Sequence, residues 1–383
     1  MYTTTTTIEE RAALVEAVRD FAESELAPNA ARWDAEKHFP VDTLRRAGEL
    51  GLGAICVRED VGGSGLSRRD AVAIFEELAK GDTTIAAYIS IHNMVAWMID
   101  TFGTLEQRER WIPGLAAMSD LGSYCLTEPG AGSDAAAITT SAVRDGDAYV
   151  LNGVKQFISG AGSSALYIVM ARTSGPGSRG ISAIVVPAGT PGLSFGPNEE
   201  KMGWNAQPTR QVIFEDVRVP VSHRLGEEGD GFSIAMRGLN GGRVNMGACS
   251  LGGAQWTLER ATRYVMEREA FGAPLAANQA VLFALADMET DLQAARALLE
   301  RAAEKMDAGA PDTAAACALA KRFATDAAFT AANAALQLHG GYGYLKEYGI
   351  ERVVRDLRVH QILEGTNEIM RLIVGRSLLE NVR

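Results

Sequence analysis

Apolar residues change their spacing twice along this chain, and any fold has to accommodate both changes. From Ile8 to about Met118 they recur at helical intervals, as in Leu14, Val18 and Phe21, or Ile74, Phe75, Leu78 and Ala79. Breaks at Pro28, Pro40 and Gly62-Gly63-Ser64-Gly65 divide this stretch into helices. From about Leu121 to Asp230, short β-branched or aromatic runs take over: Ala148 to Leu151, Leu166 to Met170, Ile181 to Val186 and Gln211 to Phe214. Turn signals at Asp145-Gly146, Asn152-Gly153, the Gly175 to Gly180 loop and Pro191-Gly192 separate them. No interval between these runs can hold a crossover helix, so a sandwich or barrel is expected rather than βαβ units.

Beyond Gly231 the helical spacing returns. Amphipathic segments are expected from about Val244 to Glu267, Gln279 to Ala308, Thr313 to Leu338 and Thr366 to Glu380. Breaks at Gly309-Ala310-Pro311 and His339-Gly340-Gly341 suit an antiparallel bundle. At 383 residues the chain exceeds what one core usually serves. The expected class is α+β: an N-terminal helical domain (1–120), a middle β domain of barrel or sandwich type (121–230), and a C-terminal four-helix bundle (231–383).

Composition removes several functions. A net charge of −11 argues against phosphate-backbone binding as the main task. Cys56, Cys125, Cys249 and Cys317 are scattered without CxxC spacing, so they read as small buried hydrophobes rather than a disulfide framework. The five histidines form no ligand-spaced cluster, and there is no phosphate loop, His-Glu-x-x-His or Gly-x-Ser-x-Gly. No apolar run approaches the roughly 20 residues of a membrane span. Met1 to Glu10 is a threonine run leading into acidic residues, unlike a secretory or transit signal, so the cytoplasm is expected.

Three segments carry chemistry. Tyr124 to Asp134 holds Thr127, Ser133 and three small residues after Pro129, a loop able to approach a ring edge or pyrophosphate through its backbone N–H groups; an ordinary Pro-Gly turn reads the same. Asn152 to Gly162 offers Phe157 with the Ser159 hydroxyl two residues on, expected on one face. That pair suits a flat heteroaromatic ring, and core packing of Phe157 suits it equally. Ile362 to Ile369 places Glu364 just before a helix in apolar surroundings, where an ordinary solvated glutamate that favours the helix dipole is the plainer reading. There the helix dipole lowers the carboxyl pKa and burial raises it.

In this order and spacing, the three segments resemble the acyl-CoA dehydrogenase family over nearly the whole chain. Gly203 to Arg210, Arg268 to Gly272 and Gln337 to Gly343 add to the likeness. The resemblance implies an FAD enzyme that introduces an α,β double bond into an acyl thioester. Glu364 would take the α-proton while the β-hydride passes to the flavin. By the same likeness Tyr124, Leu126, Thr127 and Ser133 wrap the flavin and its pyrophosphate, and Phe157, Ile158 and Ser159 cover its face. Arg268, Phe271, Asn278 and Gln279 hold FAD across a subunit interface. Gln337, Gly340 and Gly341 meet the adenine side, and Thr366, Asn367 and Glu368 make the last flavin contacts. Ser133, Asn240, Arg243, Gly365 and Arg376 match the CoA-contacting positions. Arg243 suits an anionic ligand, and an exposed helix charge is its plainer reading.

The resemblance further implies a homo-oligomer, usually a tetramer, and an electron-transferring flavoprotein as acceptor. Isovaleryl- and long-chain-type members carry their glutamate where this chain has Gly241, so Glu364 points to the short-chain type. Ser90 to Asp100, Gly238 to Arg243 and Arg358 to Gly365 are most similar to family members acting on isobutyryl-CoA in valine breakdown. Butyryl- or 2-methylbutyryl-CoA, an oxygen-using flavoenzyme and a non-catalytic flavoprotein are the alternatives.

Overall fold

The structure is a computed structural model and describes residues 7–380; of the threonine run at 3–7, only Thr7 lies within it. Six helices come first: α1 (Ile8–Phe21), α2 (Ala30–Glu36), α3 (Val41–Glu49), α4 (Arg68–Gly81), α5 (Thr83–Phe102) and α6 (Leu105–Ala116). Reciprocal capping bonds start three of them, Thr7 with Glu10, Ser67 with Asp70 and Thr104 with Gln107. Each satisfies N–H groups that a helix start leaves without partners.

Eight strands follow: β1 (Gly122–Cys125), β2 (Ser141–Asp145), β3 (Ala148–Ser159), β4 (Leu166–Arg172), β5 (Ile181–Pro187), β6 (Leu193–Phe195), β7 (Thr209–Pro220) and β8 (Arg224–Leu225). They form one sheet in the order β6-β7-β3-β2-β4-β5-β8, with β1 beside β4. β1 and β2 run parallel to β4 without any crossover helix, and the remaining pairs are antiparallel. Alternate residues of β4 enter two cores. Ile168 and Met170 pack with Met94 and Met98 of α5, whereas Tyr167 and Val169 pack with Leu151, Val212 and Phe214 across the sheet's inner face. Burial on both faces explains why β4 and β5 read as unbroken apolar runs.

The last region contains α7 (Gly231–Glu267), a hairpin of β9 (Glu269–Ala270) and β10 (Ala273–Pro274), α8 (Gln279–Asp307), α9 (Thr313–Leu338), α10 (Ile350–His360) and α11 (Asn367–Glu380). The starts of α8, α9 and α11 lie within a residue of expectation, but α7 begins thirteen residues before the anticipated Val244. Gly238, Gly241 and Gly242 weaken the local helical signal, and packing supplies the reason for them. A Cβ at Gly238 would lie 2.1 Å from Met98 Cε, and one at Gly252 2.0 Å from the Glu76 carbonyl oxygen. Neighbouring elements approach α7 too closely for a side chain. The two helical regions therefore share one core, in which Phe75, Leu78, Met246, Leu299, Ala324 and Leu357 meet.

All four cysteines are free thiols, and Cys125, Cys249 and Cys317 are buried. No helix among the described residues is long and apolar enough to cross a membrane.

Candidate active site

The turn between α10 and α11 carries Glu364 in the left-handed region, φ 57°, followed by Gly365 at φ 88°. A non-glycine residue there carries strain of about 1–3 kcal/mol, which the surroundings must hold. Two cations hold it. Arg243 Nε donates to the Glu364 carbonyl at 3.1 Å, and Lys321 Nζ donates to the Gly365 carbonyl at 2.9 Å. Among the described residues, the N–H groups of Glu364 and Gly365 donate to no protein acceptor.

The Glu364 carboxyl is buried, and its Oε2 has no hydrogen-bond partner among the described residues. A Cβ on Gly242 would lie 2.4 Å from that oxygen, so the absence of a side chain on α7 creates its seat. Burial raises the Glu364 pKa to about 7, against the opposing charges of Arg243 and Lys321. Of the two influences foreseen at this position, burial wins. The Tyr124 hydroxyl, also buried without a partner, is pushed far up by burial first and by the Glu364 charge second.

The Tyr124 and Phe157 segments lie side by side. Gln156 N–H donates to the Thr127 carbonyl at 2.8 Å, and the Ser123 hydroxyl to the Ser159 carbonyl at 2.6 Å. Beneath them Lys155, wholly buried, donates to the Leu126 carbonyl at 3.0 Å and to Glu128 at 2.8 Å. Burial alone would raise Glu128, but Lys155 and donors from Thr139 and Thr140 outweigh it and hold the pKa at about 2. Ser133 is exposed, and Gly130 and Gly132 open onto free space.

Phe157 and Ser159 do not share a face as expected. Phe157 stands 62% exposed while Ile158 and Ser159 are buried. A register shift against β7 between Lys155 and Ile158, with Phe157 at φ 59°, breaks the two-residue alternation. Core packing of Phe157 is thereby also excluded.

Arg243 is not an exposed helix charge. It is 4% exposed, and besides the Glu364 carbonyl its Nη1 bonds Asn240 Oδ1 at 2.9 Å. Those bonds make it a support for the turn. Asn367 also faces inward: its amide donates to Thr325 at 2.9 Å and Asp326 at 2.7 Å and accepts from Lys321 at 2.9 Å. Any ligand contact from position 367 is left to its backbone. Thr366 caps α11 by accepting from Ile369 N at 3.3 Å, Glu368 is exposed and pairs with Arg371, and Arg376 is exposed on α11.

A second cluster lies elsewhere. Arg268, Gln337, Gly340, Gly341 and Tyr342 line a surface cavity of about 420 Å³. The Arg268 guanidinium sits 5.7 Å from the Tyr342 ring centre. Gln337 is sixteen residues beyond Lys321 on α9, about 24 Å along the helix axis. Phe271 forms the turn of the β9–β10 hairpin with φ 56° and is fully exposed, while Asn278 caps α8 through Ala280 N at 2.9 Å and Gln279 is exposed. These residues fit an extended cofactor in kind: exposed aromatic rings, open glycines and a cationic cavity at a distance from Glu364.

Sequence reasoning missed Lys321 and Gly242. A signal for Lys321 existed, since it falls in the stripe Cys317, Lys321, Ala324, Ala328, which is the buried face of α9. Two matched motifs also meet unexpectedly: Trp204 Nε1 donates to His360 Nε2 at 3.1 Å, and the Trp204 N–H to Asp356 at 2.7 Å. His360 Nδ1 in turn bonds the Ser250 hydroxyl at 2.7 Å, fixing the end of α10 four residues before Glu364.

Residues 8–119, 123–217 and 229–379 match the N-terminal, middle and C-terminal domains of acyl-CoA dehydrogenase. The mitochondrial isobutyryl-CoA dehydrogenase of Bos taurus is 56% identical over 361 residues, 94% of this chain and 87% of the relative. That of Dictyostelium discoideum is 56% identical over 360 residues, covering 94% and 86%. The structure of butyryl-CoA dehydrogenase from Megasphaera elsdenii superposes with a TM-score of 0.94 at 38% identity, over 99% of this chain and all of that one. Both named relatives are mitochondrial, where the N-terminal residues led to an expectation of the cytoplasm. The chain belongs to the acyl-CoA dehydrogenase family.

Proposed function

We propose that this enzyme oxidises a short branched acyl-CoA, isobutyryl-CoA to methacrylyl-CoA, with Glu364 as the base. The observation that carries the reading is the buried Glu364 carboxyl on a strained turn, its Oε2 without a partner among the described residues and its pKa raised to about 7. A carboxylate of ordinary basicity is poorly matched to a C–H proton, and one near 7 is far better suited. Glu364 takes the α-proton, and the electron pair left at the α carbon forms the double bond as hydride departs from the β carbon. Bound FAD supplies the hydride acceptor. The untaken N–H groups of Glu364 and Gly365 are available to the thioester carbonyl, stabilising charge that develops during proton removal.

Phe157, Thr127 and Ser159 are the residues we assign to the flavin ring, and the Arg268, Gln337, Gly340 and Gly341 cavity to its distal half. The distance between these groups along α9, with Phe271 projecting from its hairpin, favours completion of each site by a second copy of the chain. A homotetramer and an electron-transferring flavoprotein as acceptor accompany this reading. The short-branched substrate draws on the 56% identity to relatives named for isobutyryl-CoA. It also draws on Gly241, which stands where isovaleryl- and long-chain-type members carry their glutamate.

The test is anaerobic addition of isobutyryl-, 2-methylbutyryl-, butyryl-, isovaleryl- and octanoyl-CoA to the flavin-loaded enzyme. Fastest bleaching with isobutyryl-CoA, abolished in Glu364→Gln, is the expected result. Fastest bleaching with another thioester discards the substrate, and full activity in Glu364→Gln discards the base.

A further inference from the structure

We propose that Lys321 is a positioning residue for proton abstraction, holding the Glu364–Gly365 turn and setting the charge that faces the Glu364 carboxyl. This rests on Glu364 being the base. Lys321 is wholly buried on α9, an expensive place for an ammonium group. Among the described residues no carboxylate pairs with it directly; its hydrogen bonds go to neutral acceptors, and the foremost charge acting on it is that of Glu364. Its two hydrogen bonds, each 2.9 Å, go to the Gly365 carbonyl and Asn367 Oδ1, on either side of Thr366.

The consequence is geometric. The carbonyls of Glu364 and Gly365 are taken by Arg243 and Lys321, which orients both peptide planes and with them the Gly365 N–H, unbonded among the described residues. Asn367 extends the hold by donating to Thr325 and Asp326, and Gln361 donates to the same Asp326 oxygen at 2.8 Å. Lys321 thereby ties α9 to the Gly365–Asn367 side of the loop, and Asp326 of the same helix ties it to Gln361 on the other side.

It is also an electrostatic neighbour of the carboxyl. Arg243 from α7 and Lys321 from α9 both favour the ionised form of Glu364 against burial. Tyr124 from β1 faces the same carboxyl, while Asp326 from α9 and Glu368 from α11 act on Lys321. Arg68 from α4 lies over Gly241 on the neighbouring turn of α7. Lys321 itself, lowered by burial to about 8, remains cationic at neutral pH.

The experiment compares Lys321→Gln, which removes the charge and keeps a donor, with Lys321→Met, which removes both. Flavin absorbance and melting establish folding, and the pH dependence of anaerobic bleaching is followed together with the Glu364 carboxyl band in infrared difference spectra against Glu364→Gln. In both Lys321 variants the acid limb and the carboxyl titration should move up by about one pH unit. Lys321→Met should lose about tenfold more in maximal rate as the turn is released. An unmoved limb and carboxyl band in folded Lys321→Gln overturn the proposal, whereas activity surviving in Glu364→Gln overturns the base assignment instead. Should neither Lys321 variant fold, Lys321→Arg carries the test: the retained cation should leave the limb in place while the altered bonds to Gly365 and Asn367 lower the maximal rate, and an unchanged rate would overturn the proposal.

Discussion

Replacing Glu364 with glutamine should stabilise the flavin-loaded enzyme, and by an amount that depends on pH. The carboxyl rises on folding from its ordinary 4.5 to about 7, chiefly through burial. Between those values the native state keeps a proton that the unfolded chain has released. The native state then binds more protons than the unfolded one, and stability falls as pH rises through this window. Each pKa unit corresponds to about 1.36 kcal/mol, so the wild type gives up about 3 kcal/mol by pH 8. Glutamine has no proton to lose. Asp356, also pushed up to about 7 by burial, is common to both proteins and cancels in the difference. Melting both proteins from pH 5 to 8.5 should show their Tm values diverging between pH 5 and 7 and holding a constant gap above. A gap that does not change with pH would refute burial as the source of the raised basicity.

Three further outcomes follow from named contacts. Gly242→Ala places a Cβ where Glu364 Oε2 sits, and stopped-flow bleaching should slow by about a hundredfold while Tm changes far less. Lys155→Met strands Glu128 beneath the Leu126 carbonyl, and denaturation should register a loss of about 3–5 kcal/mol, part of it recovered in the double variant with Glu128→Gln. In the wild type, the rate of bleaching should fall as pH drops through about 7, because Glu364 regains its proton there; a rate unchanged down to pH 5 would contradict the pKa.

Much of this enzyme is determined by the sequence itself. The two changes of apolar spacing separate helical from β regions, because each period buries one face of one kind of element. Thr313 and Leu338 bound α9 as their local signals indicate. Glu364, Tyr124, Arg243 and the Phe157 segment are likewise recognisable as a set, though nothing local says which charges reach which atoms. Tertiary structure alone decided the rest. Gly238 and Gly242 read as helix breakers until Met98 and Glu364 are seen filling the space a Cβ would need. Phe157 and Ser159 read as one face until the bulge against β7 turns them apart. Lys321 reads as one more charge in an alanine-rich helix, yet packing buries it beneath the turn that holds Glu364. Whether Glu364 is an ordinary solvated carboxylate or a base near 7 depends on how much water the fold removes from it, and water exclusion is a property of packed surfaces rather than of neighbours in the chain.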